Sequence, residues 1–479
     1  MNKVLILICS ILCTAFSWLW GQHNPGGELL AEDCMEGGSA SIMVVDLESG
    51  EEVYAFDAFR ALPTASIQKF LTTAAVLQTK GPDFQYETIV GYTGHIAQGR
   101  LDGNIVVVGS GDPTLGSGYF EDGWDMDKLA DTLSAYLEAL GVQQIRGNVV
   151  IDVSISPGQH VPGGWPWADL GNYYGAGHWG LNIHDNEYRL FFQQNQIQGQ
   201  PTRILRTLPD VSPFVIHNEV RTGPAGSGDQ AYIYAAPYST SATVRGTIPP
   251  GSGSFSIRGS LTNPPQFFGE RLKILLEESG VTVSGGIEVT PDPVSSVQIL
   301  FTISSPPLLE IARVTNYRSV NLYAEALLKL LCEDRNTASQ YGCGLDRLEE
   351  FWTQNGLDDD QIFYRDGSGL SPRNTASSAS FVRALQAVFD DSDWFISLFA
   401  TLPEMGKDGT LQYMLRGYHG TGRIHAKSGY IGRQRSYMGY MSTEKGRTLA
   451  FCVMLDNYNC SSTRMRQRIE RFLIALMKE

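Results

Sequence analysis

Positive charge is in short supply in this chain. Its 36 Lys and Arg residues face 51 Asp and Glu, a formal net charge of −15, so no nucleic acid partner and no anionic membrane surface is expected. A long hydrophobic run is also missing. The apolar stretch Val4–Phe16 falls short of the roughly 20 residues that span a bilayer. Metal-ligand patterns are wanting too: His178 and His184 have no acidic or cysteine partner at ligand spacing, so no metal site is read. The run Gly109-Ser110-Gly111-Asp112-Pro113-Thr114 has no Gly-Lys-Ser/Thr after it, and Pro113 blocks a helix there. It reads as a structural turn rather than a phosphate loop. What remains, 42% hydrophobic and 18% charged, is ordinary globular composition. A length of 479 residues is too great for one simple core, so two or three domains are expected.

The N-terminus carries an address. Lys3 precedes the short apolar run, and Trp18-Leu19-Trp20-Gly21-Gln22 follows it, the pattern of a secretory signal cleaved near Gly21. Leu12 before Cys13 is too large for a lipoprotein signal, so no lipid anchor is read. The mature protein is expected to be exported, periplasmic or extracellular. Of seven cysteines, Cys9 and Cys13 leave with the signal, and the odd remainder implies at least one free thiol. Cys332 and Cys343 flank a short polar loop and are the expected pair. Cys452 lies in an apolar run and reads as a buried thiol. Cys34 and Cys460 can pair only if the two ends of the chain meet.

Residues 38–60 alternate as a hairpin does, and 435–442 and 448–455 read as two strands of a later meander. Residues 126–140 and the stretch from Pro264 to Leu276 are helical in pattern, and Ile145–Asp152 is strand-like. The segment 157–186 is rich in Gly, Trp and Tyr and is expected to pack one domain against the next. Residues 187–258 look like a small β module. None of this middle region presents a reactive constellation, so it reads as an insert.

Three short motifs carry chemistry. In Thr64-Ala65-Ser66-Ile67-Gln68-Lys69, Pro63 and a capping Thr64 predict a helix start, with Ser66 and Lys69 a turn apart on one face. A serine hydroxyl needs a base, and a lysine serves only when burial makes it neutral. Alone, the pair also fits a capping serine and a solvated lysine. Ser319-Val320-Asn321 offers a second hydroxyl and an amide at i and i+2, or simply a helix cap. Lys427-Ser428-Gly429-Tyr430 puts a cation beside a glycine that lets another backbone approach a strand. Its plain alternative is a strand-end turn.

Singly these motifs are weak, but their order Ser-x-x-Lys, Ser-x-Asn, Lys-Ser-Gly resembles the signature set of penicillin-recognising serine enzymes. The long insert between the first and second motifs narrows the likeness. So do Gly109–Leu115, Arg146-Gly147-Asn148-Val149, Asp366-Gly367-Ser368-Gly369-Leu370-Ser371 and Asp408-Gly409-Thr410-Leu411. The chain resembles the class C low-molecular-mass penicillin-binding proteins, the D-alanyl-D-alanine carboxypeptidase/endopeptidase family.

That resemblance implies an α/β multidomain chain. Residues 22–88 and 300–479 would form a β-lactamase/transpeptidase-like catalytic domain, an antiparallel sheet flanked by helices. Two smaller β-rich domains would be inserted, 89–186 with 259–299 and, nested within it, 187–258. It implies peptidoglycan stem peptides as substrate, β-lactams as covalent inhibitors and no cofactor. Ser66 would be the nucleophile, Lys69 its base, Ser319 with Lys427 the proton path to the leaving amine, and Asn321 a holder of the acyl amide. Ser428, Gly429 and Tyr430 would line the substrate. Two departures stand out: Ser428 replaces the common Thr, and Tyr430 replaces a small hydroxyl residue. The basic amphipathic segment Arg464–Met477 is expected to dock on the sheet rather than touch a membrane. A β-lactamase is the nearest rival, disfavoured by the large insert. A non-catalytic wall-binding protein is the other, disfavoured by the complete motif set.

Overall fold

The computed structural model describes residues 25–332, 340–357, 359–418 and 422–479. The expected signal segment 1–21 lies outside the described residues. By internal packing the chain divides into two compact units. One holds residues up to Pro63, Ala376–Gln386 and Pro403–Glu479, and the other Thr64–Thr375 and Ala387–Leu402.

In the first unit the hairpin Ser39–Asp46 and Glu52–Phe56 pairs antiparallel, as its alternation predicts. Three C-terminal strands complete a five-stranded antiparallel sheet in the order Glu52–Phe56, Ser39–Asp46, Thr448–Asp456, Gln434–Ser442, Ile424–Ile431. Its centre, Thr448–Asp456, is buried on both faces, which is why Leu449 to Leu455 is an unbroken apolar run. The Ser462–Met477 helix places Met465, Ile469, Phe472, Leu473 and Leu476 in the same core as Ile42, Val44 and Phe451, the helical spacing of an amphipathic face. Its basic side is answered by the N-terminal segment. Arg464 and Arg468 pair with Asp33, and Arg471 with Glu28. A Cys34–Cys460 disulfide joins the two ends. The segment therefore docks on the sheet, as its pattern predicts, and Cys452 is a buried free thiol.

The second unit contains a group of helices, Gln68–Lys80, Leu308–Arg318, Asn321–Leu330, Gln340–Gln354 and Ser392–Phe399. It also contains a five-stranded sheet in the order Ile287–Thr290, Val149–Asp152, Ile105–Val108, Glu87–Tyr92, Gln298–Ser304. The boundaries drawn from sequence at 88 and 300 fall inside its last two strands, which pair antiparallel. Residues 187–260 carry two small sheets of their own. Their core side chains Tyr188, Phe192, Ile233 and Val244 nevertheless belong to the same apolar cluster as Leu129, Leu133 and Phe268. Cys332 and Cys343 form the expected disulfide.

Candidate active site

The Ser66 motif is not capped as the sequence suggests. Thr64 has helical dihedrals and makes no side-chain cap bond, and Ser66 lies in a 3-10 turn, Ala65–Ile67, ahead of the Gln68–Lys80 helix. What fixes the turn is a close approach of backbone. Ala65 sits at φ +48°, a left-handed conformation that costs an L-residue about 1–2 kcal/mol. Its carbonyl is packed so tightly on Gly369 that a Cβ there would lie 1.8 Å from it. A glycine is required at 369, and the Asp366–Leu370 loop thereby clamps the turn that presents Ser66.

Ser66 is half-buried, whereas Lys69 is fully enclosed. The Lys69 Nζ lies 3.1 Å from Ser66 Oγ and donates to Asn321 Oδ1 at 2.6 Å and to the Ser368 carbonyl at 2.7 Å. Loss of hydration pulls its pKa down to about 7, against the opposing fields of Glu325 and Asp366. A neutral amine has two hydrogens and one lone pair, which matches two fixed acceptors and one serine hydroxyl.

Asn321 opens the Asn321–Leu330 helix, and Ser319 ends the preceding one at φ +59°. Strained backbone of this kind clusters at functional sites. Asn321 Nδ2 donates to the Tyr174 carbonyl at 2.7 Å, so the aromatic segment 157–186 packs directly on the motif. Trp165 of the same segment donates to Asp366 Oδ2 at 2.9 Å.

Lys427, Ser428, Gly429 and Tyr430 belong to the other unit, on Ile424–Ile431, the outermost strand of its sheet. Beside that strand Ala426 N donates to Pro403 O, and Met405 N to Ile424 O. Even-numbered residues therefore turn their backbone groups to the outer edge, and the two-residue period puts Ser428 and Tyr430 there as well. Lys427 is buried and donates to the Ser428 carbonyl at 2.7 Å, and Ser428 Oγ is 2.7 Å from Thr410 Oγ1. Tyr430 is 55% exposed, with the Arg435 guanidinium 4.9 Å from its ring centre.

Sequence reasoning brought together Ser66, Lys69 and Asn321 and missed two buried carboxyls beside them. Glu325 and Asp366 are both completely buried. Glu325 is pushed up by burial and then by the charge of Asp366. Asp366 is pushed up by burial, opposed by the N–H groups of Ser371 and Gly369. The signal for Glu325 was a lone acid four residues past Asn321 on a mostly apolar helix.

The D-Ala-D-Ala carboxypeptidase 3 (S13) family model matches residues 27–476. The D-alanyl-D-alanine carboxypeptidase of Actinomadura sp. (strain R39) is 27% identical over 446 residues, covering 90% of this chain and 80% of that one. D-alanyl-D-alanine carboxypeptidase DacB of Haemophilus influenzae is 22% identical over 441 residues, covering 90% and 88%. The crystal structure of penicillin binding protein 4 (dacB) from Haemophilus influenzae superposes with a TM-score of 0.78 at 22% identity, covering 94% of this chain and 99% of that one. The fold is accordingly the β-lactamase/transpeptidase-like one with a large β-rich insert.

Proposed function

The chain belongs to the D-Ala-D-Ala carboxypeptidase 3 (S13) family, and from that premise we propose a serine-type D-Ala-D-Ala carboxypeptidase, also a D,D-endopeptidase, acting on peptidoglycan in the exported compartment. The observation that carries the reading is the enclosed Lys69 amine, 3.1 Å from a half-buried Ser66 hydroxyl and pulled down to about 7. Neutral Lys69 takes the Ser66 proton as Oγ bonds to the carbonyl carbon of the penultimate D-alanine. The carbonyl electron pair moves to oxygen, where the backbone N–H group of Ser66 is a proposed donor. Collapse of that adduct breaks the C–N bond. The departing amine receives a proton through Ser319, and an acyl ester remains on Ser66. Asn321 would hold the acyl amide with whatever donor capacity its bond to Tyr174 leaves free. Water then frees the enzyme. A β-lactam enters the same path, but its leaving amine stays tethered, so the ester persists.

Fluorescent penicillin followed for hours tests this. A stable label on Ser66, together with release of D-alanine from a stem pentapeptide, is the expected result. Rapid turnover of the label would make the protein a β-lactamase instead, and no label at all would leave a binding module. No described helix is long and apolar enough to cross a membrane.

A further inference from the structure

We infer that Glu325 is the positioning residue of the general base: it fixes the Gly367–Ser368 backbone so that the Ser368 carbonyl meets Lys69. The inference rests on the assignment of Ser66 and Lys69 above. Glu325 sits one helical turn after Asn321, on the same face of the helix. Its Oε2 accepts from Gly367 N at 3.1 Å and its Oε1 from Ser368 N at 2.9 Å. One carboxyl thus holds two consecutive peptide N–H groups, and the carbonyl of the second residue is the one that accepts from Lys69. The loop lies flat against the helix, since a Cβ on Gly367 would stand 2.6 Å from the Ala324 carbonyl. On its other side the Gly367 carbonyl accepts from Thr72 Oγ1 at 2.8 Å. A shift of Glu325 is therefore passed through the Ser368 peptide to Lys69.

The same contact bears on the proton of Lys69. Glu325 faces Asp366, Lys69, Lys329 and Tyr341, and Lys69 faces Glu325 and Asp366. Burial drives Lys69 toward its neutral form, and Glu325 is the largest influence opposing it. Oxygens that accept from Lys69 favour its charged form, so loosening the Ser368 carbonyl lets burial act with less opposition and Lys69 should lose its proton at lower pH. A carboxyl that only supported the fold would leave this midpoint where it is.

The experiment is the second-order rate of β-lactam acylation across about pH 5 to 9 for the full-length exported protein, Ser66→Ala, Glu325→Gln and Glu325→Asp. Acylation of the parent and none of Ser66→Ala establishes the underlying reading, and a failure there is seen before any Glu325 variant is compared. Glu325→Gln should lower the plateau on the order of tenfold or more and move the midpoint down by about one pH unit. A Glu325→Gln midpoint equal to the parent's overturns the inference, whatever the plateau. If that variant does not fold, Glu325→Asp decides. It keeps the carboxyl but withdraws it by one methylene, so acylation about fivefold slower, with a smaller midpoint shift than the glutamine variant's, is expected. An Asp variant as fast as the parent overturns the inference.

Discussion

Two serine–lysine pairs lie in one unit of this protein, and the difference between them is in their surroundings. Lys69 Nζ stands 3.1 Å from Ser66 Oγ, and Lys329 Nζ stands 3.0 Å from Ser156 Oγ. Each amine has two further oxygen acceptors: Asn321 Oδ1 and Ser368 O for Lys69, Gln159 O and His178 O for Lys329. Each is buried, and lost hydration pulls each down to about 7. The serines differ. Ser66 is half-buried on a turn that leads into a helix, whereas Ser156 is 2% exposed and sits in a turn after the Val149–Asp152 strand. A buried lysine with a depressed pKa therefore does not by itself mark a base, because a structural tie builds the same feature. What sets the proposed base apart is the half-buried hydroxyl beside it.

The sharpest way to break this comparison is Ser66→Ala. It should remove all penicillin labelling and all D-alanine release while the protein stays folded. A label mapped to Ser156 in that variant would mean that the second pair is also reactive. Next in size is Lys69→Arg, which should slow acylation on the order of a thousandfold, because a guanidinium keeps its proton at working pH. In the parent, acylation should rise with pH through about 7, since Lys69 is neutral above that value and charged below it. A flat profile would leave the base unassigned.

A third buried lysine, Lys427 in the other unit, has the smaller proposed task of receiving a substrate carboxylate. Both a stem pentapeptide and a D,D-cross-link carry a free carboxylate beside the scissile amide. A charge-assisted contact is worth about 1.5–3 kcal/mol, so Lys427→Ala should cost roughly ten- to a hundredfold in kcat/KM for both cleavages. Amidating that carboxylate should cost a similar factor. Kinetics on matched acid and amide substrates decide it. An amide cut as fast as the acid removes Lys427 from the role.

Much of this was legible because it is local. Ser66 and Lys69 are three residues apart, so any helical path brings them together, and the 39–56 hairpin and the C-terminal meander announce themselves by alternation and turn residues. The misread cap is equally instructive. Thr64 has the chemistry of a cap, but the Gly369 approach to Ala65 decides the turn, and that contact joins positions 304 residues apart. Glu325 with Ser368, and Ser156 with Lys329, are likewise assembled only by tertiary packing. No spacing rule links positions 43 or 173 residues apart. The positions 88 and 300 fall within the Glu87–Tyr92 and Gln298–Ser304 strands, whose antiparallel pairing is again a contact between segments far apart in sequence.

The smallest expected effect on chemistry, and the one that sharpens the comparison most, comes from Lys329→Met. Methionine keeps the length of the lysine stem and removes the ammonium. The Gln159 and His178 carbonyls then lose their donor, as does the hydroxyl of Ser156, and the ring of Tyr341 loses the cation 4.3 Å from its centre. Buried acceptors left unpaired cost about 1–3 kcal/mol each before relaxation. Recovered hydration cost of the ammonium offsets part of that, so a net destabilisation of roughly 2–4 kcal/mol and a lower thermal midpoint are expected. Acylation below that midpoint should change by no more than a few-fold, and its pH dependence should stay centred near 7, because Lys69 feels Glu325 and Asp366 rather than Lys329. If the variant is as stable as the parent, Lys329 is no tie. If it is stable enough to assay and its acylation collapses, or the pH midpoint moves, the two pairs are coupled through Glu325 and must be treated as one network.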